Sequence, residues 1–397
     1  MINTTLNVTN ALLNATNSSL LNASSTSKFF SMLNNPPMMT FVLSILAVVV
    51  IMVFVVKSVS PLTHFIYANA RIHARSNYVV TDSLLLSLME AKSLKEFRSQ
   101  LRETDYGEEL EKTNENLRSV HTALEKGFIS SVLELVGLSP EKSKPLLNAY
   151  LMFFETKILK IIYRAKLMNV KIDESLVYAI GKLDSNLLKH LMDTETIADM
   201  SVVMASTEYT KVFESKYSNL EEFEVKIDEF VYNNFISIIN KTKMYDGVHI
   251  IDILNKKIDI SNILAILKFR IRGIEKEKQK GFLMNNGTDL CLRFDKLIEA
   301  EKLKDFVEAL KGLPYYEPLL KALEEYDKDK ALSHFENELY RFFKKLVVGN
   351  ELSHTLGPYP LFSYLIKAEI GLRNLFIVSR GIDAGFSSEK IKEMMII

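Results

Sequence analysis

The chain has 397 residues, and 49 basic side chains are balanced by 49 acidic ones. Zero formal net charge argues against a nucleic-acid-binding surface, which needs a basic excess. Only 14 Gly and 9 Pro argue against a many-stranded β fold, which needs frequent turns. The single cysteine, Cys291, excludes an internal disulfide framework, and we interpret it as a small buried side chain. With 48% apolar residues for a core, the composition predicts an all-α protein.

Residues 1–37 are predicted to be a disordered tail rich in Asn, Ser and Thr. This segment has a single charged side chain, Lys28, and no helical period. It contains five Asn-x-Ser/Thr sequons, at Asn3, Asn7, Asn14, Asn17 and Asn22. Two interpretations stay open, a polar low-complexity stretch and a glycosylated tail outside the cell.

Residues 38–57 are predicted to be a transmembrane helix. The first nineteen of them contain no charge, and a helix of that length spans about 28 Å, close to the ~30 Å hydrocarbon core. A buried helix of a soluble protein is the alternative, whereas a cleaved signal peptide would need a basic start and a shorter apolar segment. On the C-terminal side of the uncharged stretch are Lys57, Arg71 and Arg75, and a single lysine precedes it. We therefore expect the N-terminus outside the cell membrane and the body on the cytoplasmic side.

An internal repeat follows. Segments Ser93–Tyr106, Thr196–Tyr209 and Lys302–Tyr315 align at offsets of 103 and 106 residues, with apolar, acidic and Tyr positions in register. Upstream of the second and third segments, Arg164 and Arg270 each lie 32 residues before the segment start. A fixed period of this length is typical of repeated helical units that cover one another's apolar faces.

We predict three helical domains, at residues 58–150, 151–255 and 256–397, the last including closing C-terminal helices. Each would combine a long amphipathic helix, a short capped helix and an acidic-Tyr turn. The period leaves open whether the units close around an axis or stack in a row.

Several helix boundaries and faces are visible in the sequence. Ser93 and Glu96 form a predicted capping box, and Ser139-Pro140 predicts a helix start with proline in the first turn. Apolar residues recur at helical spacing between Leu147 and Ala165 and between Leu361 and Phe376.

No motif for catalysis or for a cofactor is present. The chain has no phosphate-binding glycine loop, no His-Glu-x-x-His and no Gly-x-Ser-x-Gly. Its seven histidines are scattered, without the spacing of metal ligands. We expect a non-enzymatic chain without cofactor, metal site or nucleic-acid partner.

Polar residues inside the repeated motifs have two interpretations. Intramolecular ion pairs and caps are favoured over a partner-binding surface for Arg71, Arg75, Arg164, Arg270, Asp105 and Glu208. The segment Gly357-Pro358-Tyr359-Pro360 is interpreted as a rigid corner before the last long helix, since proline fixes φ.

Three segments carry a family resemblance, namely Tyr67–Arg75, Leu101–Gly107 and Gly357–Leu375. They closely resemble the C subunits of archaeal A-type (V-type) ATP synthases, a family similar to the d subunit of eukaryotic vacuolar ATPases. The resemblance covers roughly the whole chain after residue 65. The matching motif positions, with structural or interface roles, are Tyr67, Asn69, Arg71, Arg75, Asp105, Tyr106, Gly107, Gly357, Pro358, Tyr359, Tyr364, Glu369, Arg373 and Asn374.

The resemblance implies three similar helical domains around a pseudo-threefold axis, forming a funnel. It implies a non-catalytic rotor subunit that sits on the membrane ring of proteolipid subunits and holds the D and F subunits of the central stalk. Through the stalk it would act on the catalytic hexamer of A and B subunits, so that ion-driven rotation produces ATP from ADP.

This sequence departs from the family in two places. The family usually begins near Tyr67, whereas this chain has an extension, and the segment after Leu375 lacks the expected Lys-Leu-Asn-Gly-like turn. Our hypothesis is that the extra span, 38–57, threads the central opening of the rotor ring instead of lying in the bulk membrane lipid outside it. The alternative function is a membrane-anchored helical scaffold unrelated to ATP synthesis.

Overall fold

The computed structural model describes residues 36–75, 80–141, 143–355 and 357–397, where the chain folds into eighteen α-helices and three short 3-10 helices. The α-helices are α1 Pro36–Arg75, α2 Asp82–Met89, α3 Leu94–Gln100, α4 Gly107–Glu111, α5 Leu117–Leu138, α6 Lys144–Leu167, α7 Ser185–Asp193, α8 Ile197–Met204, α9 Thr210–Glu214, α10 Leu220–Thr242, α11 Gly247–Arg272, α12 Lys276–Gln279, α13 Phe294–Glu299, α14 Leu303–Glu308, α15 Tyr316–Asp329, α16 Ser333–Glu351, α17 Tyr359–Asp383 and α18 Ser388–Met394. The 3-10 helices are Glu174–Leu176, Lys280–Phe282 and Cys291–Arg293.

The predicted all-α class is confirmed. Within the described ranges no β-strand forms, and one isolated bridge pairs Ile180 with Leu183. The low glycine and proline content has the expected consequence, because most of the chain is in helices joined by short turns.

Residues 1–62 and 63–397 form two compact units. The described part of the first unit is the N-terminal stretch of α1, so the predicted helix over 38–57 is confirmed as a helix. Within it, Met39–Lys57 is long and apolar enough to cross a membrane, and none of it is buried inside the protein. Residues 1–35 of the predicted tail, with its five sequons, lie outside the described residues, whereas Pro36 and Pro37 already belong to α1.

The order of helices in the second unit recurs three times. Each repeat has three shorter helices followed by a hairpin of two long helices, and the repeats are α2–α6, α7–α11 and α13–α17. Helix α12 and two 3-10 helices are inserted before the third repeat. The pseudo-threefold arrangement of the repeats stays a prediction.

Capping hydrogen bonds fix the start of equivalent short helices. Ser93 Oγ accepts the Glu96 backbone N–H at 3.2 Å, while the Glu96 carboxylate accepts from the backbone of Lys92. The predicted capping box is therefore only half formed, since its return bond reaches one residue further back. The complete box lies in the second repeat, between Thr196 and Asp199.

The turn that follows each short helix is also repeated. The hydroxyls of Thr104 and Thr207 each donate to the carbonyl three residues earlier, at 2.6 and 2.7 Å. The next tyrosines, Tyr106 and Tyr209, then stand at the N-caps of α4 and α9, as Tyr315 does for α15. The aligned Tyr positions of the sequence thus mark equivalent places in the fold.

The predicted helix start at Ser139-Pro140 is wrong. Ser139 instead caps the C-terminus of α5. The Pro140 carbonyl accepts the N–H groups of Ser143 and Lys144 in a turn, and α6 begins at Lys144. Because Pro145 follows directly and suits a first helical turn, it is the proline that marks the start of α6.

The two predicted apolar stripes lie on long helices. In α6 the buried residues include Leu147, Leu151, Ile158, Ile162 and Ala165. The second stripe lies on α17, which is buried on most sides because it packs against α16 and α11 and also against α2, α3 and α5 of the first repeat. The first and last repeats are therefore in contact.

Candidate functional site

Side chains from all three hairpins meet at one carboxylate. Glu369 of α17 accepts two hydrogen bonds from Lys257 Nζ of α11, at 2.6 and 2.8 Å. It also accepts the hydroxyl of Tyr150 of α6 at 2.6 Å. Helices α6, α11 and α17 are the second long helices of the three repeats. We call this cluster, Tyr150, Lys257 and Glu369, the hairpin junction.

The electrostatics of the hairpin junction hold it together. Burial raises the pKa of Tyr150 well above its usual value, and the neighbouring Glu369 carboxylate raises that pKa further, so the phenol stays a donor. Lys257 Nζ also lies 5.8 Å from the ring centre of Tyr150 and 5.4 Å from that of Phe153. The lysine side chain is only 15% exposed, so this charge depends on its partners for solvation.

A cavity of about 190 Å³ adjoins the hairpin junction. Its charged residues are all in ion pairs: Lys257 with Glu369, Arg373 with Glu336, and Glu125 with Lys157. Its apolar lining consists of Phe154, Tyr340, Phe343, Ile366, Ile370, Leu372 and Phe376. The cavity therefore combines an apolar lining with charges that are paired within the protein.

The first and last family-like motifs meet in space. Asn69 of α1 donates from its side-chain amide to the carbonyl of Gly357 at 3.0 Å and to that of Thr355 at 3.2 Å. Beside them, the Asp246 carboxylate lies 2.8 Å from Nδ1 of His354. A Cβ at position 357 would lie 2.2 Å from Asp246 Oδ2, so only glycine fits this corner.

The middle motif forms a tight turn. Asp105 accepts the Ser131 hydroxyl at 2.9 Å. A Cβ at Gly107 would lie 2.0 Å from the carbonyl oxygen of Arg102, so the close backbone approach requires glycine. Tyr106 is buried, and burial followed by the proximity of Tyr364 raises its pKa.

The equivalent tyrosines of the other repeats bind buried carboxylates. Tyr209 donates to Glu155 at 2.7 Å, and Tyr315 donates to Asp259 at 2.8 Å. Burial raises the pKa of both carboxyl groups and also of both phenols, whose pKa values their carboxylate partners raise further. Glu155 and Asp259 are not among the residues predicted from the sequence, although their similar separations from the tyrosines, 54 and 56 residues, follow the repeat.

The other motif residues lie apart from the hairpin junction. Tyr359 donates to the carbonyl of Val347 at 2.9 Å, and Pro358 is the N-cap of α17. The Asn374 side chain exchanges two hydrogen bonds with the backbone of Ile396, at 2.8 and 3.0 Å. Tyr67 and Arg71 are exposed, and the side chain of Arg75 lies outside the described residues.

Three of the polar residues in the repeated motifs, Arg164, Glu208 and Arg270, make intramolecular contacts. Arg164 pairs with Glu224, and Glu208 pairs with Lys182 at 2.7 Å. Arg270 donates to the Glu301 backbone carbonyl. These contacts favour the structural interpretation of these residues over a partner-binding one.

Cys291 differs from its prediction. It is half-buried rather than buried, and its thiol donates to Asn286 Oδ1 at 3.1 Å. Asn286 explains the difference, since its side-chain amide also donates to Asp259 and so belongs to the polar cluster around Asp259 and Tyr315. Over the ranges given above, no three His, Cys, Asp or Glu side chains are grouped to hold a metal ion.

Comparison with known proteins gives a consistent result. Residues 68–394 match the family model described as ATP synthase (C/AC39) subunit. The chain is 27% identical over 364 residues to the A-type ATP synthase C subunit of Methanocaldococcus jannaschii, covering 87% of this chain and 90% of that protein. It is 25% identical to the protein of the same name from Pyrococcus abyssi, covering 84% and 90%. The corresponding protein of Pyrococcus furiosus is 26% identical with the same coverage.

Proposed function

The chain belongs to the ATP synthase (C/AC39) subunit family, and from that premise we propose that it is the non-catalytic rotor adaptor of an A-type ATP synthase. It joins the ring of proteolipid subunits to the D and F subunits of the central stalk. Ion flow turns the ring, the adaptor passes torque to the stalk, and the stalk drives the catalytic hexamer of A and B subunits.

The hairpin junction is the observation that best supports this role. A torque-transmitting body must resist twisting between its parts, and close-packed helices give it low compliance. Glu369 connects three long helices, one from each repeat, through its polar contacts with the other two. The neighbouring cavity, with apolar lining and paired charges, is the surface we assign to the stalk.

The apolar stretch Met39–Lys57 supports a location in the cell membrane. We place it across the bilayer, inside the ring opening, with the N-terminus outside and the body on the cytoplasmic side. An anchor outside the ring would obstruct rotation. A cross-linker at position 46 is expected to reach ring subunits, and linkage to stator membrane subunits instead would contradict this placement.

Co-purification tests the proposed function. An affinity-tagged chain expressed in its own cells is expected to bring down ring, stalk and catalytic subunits, with one adaptor per complex. Isolation without any other part of an ATP synthase would instead support the alternative of a membrane-anchored scaffold. The purified chain alone is expected to hydrolyse no ATP.

A coupled assay tests the proposed role of the hairpin junction. Complexes that contain Glu369→Gln are expected to keep ATP hydrolysis but to lose a larger share of gradient-driven ATP synthesis, because the adaptor twists before the stalk turns. Glu325→Gln removes an exposed ion pair with Lys328 and is the matched control. Equal synthesis in both variants would remove the hairpin junction from the mechanism.

A further inference from the structure

Exposed apolar side chains border the corner at which Asn69 is bound. Tyr245 and Val248 are 59% and 79% exposed, and Leu352 is 88% exposed. The Tyr245 ring lies beside Gly357, 2.9 Å from where a Cβ at that position would stand, and the Gly357 carbonyl accepts from Asn69. Tyr245 lies in the turn between the two long helices of the second repeat, Val248 in the first turn of α11, and Leu352 directly after α16 of the third repeat.

Helix α1, which carries Asn69, adds two exposed apolar side chains near the same corner. Phe65, Ala68 and Ile72 are buried, so one side of the helix packs on the body. Ile66 and Tyr67 face outward and are 52% and 60% exposed. We call the five exposed residues, Ile66, Tyr67, Tyr245, Val248 and Leu352, the turn surface.

The charges around the turn surface are mostly positive. Arg71, Lys241 and Lys243 are exposed beside it in sequence. The nearby carboxylates are already engaged, because Asp246 binds His354 and Glu351 binds Lys367. Aromatic and aliphatic side chains with basic neighbours are the composition that favours the lipid headgroup zone.

The covalent chain keeps the turn surface close to the apolar stretch. Ile66 follows Lys57 by nine positions in the chain, so their Cα atoms are at most about 32 Å apart in any arrangement of the two units. We propose that the turn surface lies in the headgroup zone of the membrane that Met39–Lys57 crosses, with its basic neighbours at lipid phosphates. This inference rests on the membrane crossing proposed above.

Tryptophan fluorescence tests the inference, because the chain contains no Trp. The full chain is reconstituted in phosphatidylcholine–phosphatidylglycerol vesicles, with or without brominated acyl chains. Leu352→Trp, and Val248→Trp as a second variant should the first misfold, are expected to show blue-shifted emission and loss of intensity with brominated lipid. A protein contact would shift the emission without quenching and would overturn the inference.

Two further variants separate the possible failures. Leu292→Trp is the matched control. Leu292 is 86% exposed and comes directly after the polar cluster around Asp259 in the sequence. Asp259 is about 20 Å along α11 from Asp246, which lies beside the turn surface. It is expected to give red-shifted, unquenched emission. Leu46→Trp reports on the apolar stretch itself and is expected to be quenched. Quenching of Leu46→Trp without quenching of Leu352→Trp would overturn only the turn surface, whereas absence of both would also remove the membrane crossing.

Discussion

Among single residues, His121 links the first repeat to α17 of the third repeat and responds to pH. Its Nε2 lies 3.0 Å from the hydroxyl of Ser379, and its ring lies 4.6 Å from that of Phe376. Burial, followed by the charges of Arg380 and Lys157, lowers its pKa to about 4. The folded protein therefore keeps a neutral imidazole in weakly acidic conditions, where an unfolded chain would protonate it.

This pKa shift determines the direction in which the free energy of unfolding changes with pH. Above about pH 6.5 both states are neutral at this position and it contributes no pH dependence. As the pH falls from about 6.5 towards 4, the unfolded state binds the proton and the free energy of unfolding decreases. Urea titrations of the full chain in detergent are expected to show a smaller decrease for His121→Gln than for wild type. His190→Gln, at an exposed position, is the control, and an equal decrease in both variants would contradict the assignment.

Gly357 provides a second test at this scale. Gly357→Ala would place a methyl group against Asp246 Oδ2 and 2.9 Å from the Tyr245 ring. We expect a loss of about 1–3 kcal/mol from the free energy of unfolding. Gly349→Ala, in the exposed part of α16, meets no atom within 4 Å and should gain about 0.5–1 kcal/mol. A neutral Gly357→Ala, measured by urea unfolding, would show that the corner relaxes freely.

At the scale of elements, the third repeat lacks a cap that the others have. Lys302 stands at the N-cap of α14 with extended backbone angles and no side-chain bond, whereas Thr196 caps α8. Lys302→Ser is expected to stabilise the protein by about 0.5–1 kcal/mol, because a serine oxygen can accept a free helix N–H. Lys304→Ser, inside the same helix, should give no gain. Equal urea midpoints for the two variants would contradict this prediction.

The elements show how far the sequence predicts the fold. Periodicity identified the long helices, and the aligned tyrosines marked equivalent turns, because these features depend on local spacing. The start of α6 was misplaced since Ser139-Pro140 and Pro145 both satisfy the rules for a helix start. Which of them is used depends on where α5 ends. The packing of α5 on α17 determines that end, and the local sequence does not.

The site was predictable only in part for a related reason. Glu369 and Arg373 stood out within a motif, but Lys257 and Tyr150 are separated from Glu369 by 112 and 219 residues. Lysine and tyrosine at those positions are unremarkable on a helix face. Only the packing of the three hairpins brings them together, and no local pattern records such a contact.

At the scale of the whole molecule, a double-mutant cycle measures how strongly the hairpins are linked. Lys257→Met and Glu369→Gln should each lower the free energy of unfolding by about 1–3 kcal/mol, because each leaves a largely buried polar partner unsatisfied. The double variant should lose less than the sum, with a coupling of about 0.5–3 kcal/mol. The exposed pair Glu325 and Lys328 is the control and should show no measurable coupling. Additive effects at the hairpin junction would contradict the link.

The packing of α17 on α2, α3 and α5 has a consequence for biosynthesis. The ribosome makes those three helices early, yet the helix that covers them emerges only near the end of translation. The apolar side chains of the opening repeat therefore stay uncovered while more than two hundred further residues are added, from Leu138 to Tyr359. Nascent chains stalled before Tyr359 would stay susceptible to proteases and dependent on chaperones. The three repeats would then fold together near the end of translation rather than one after another.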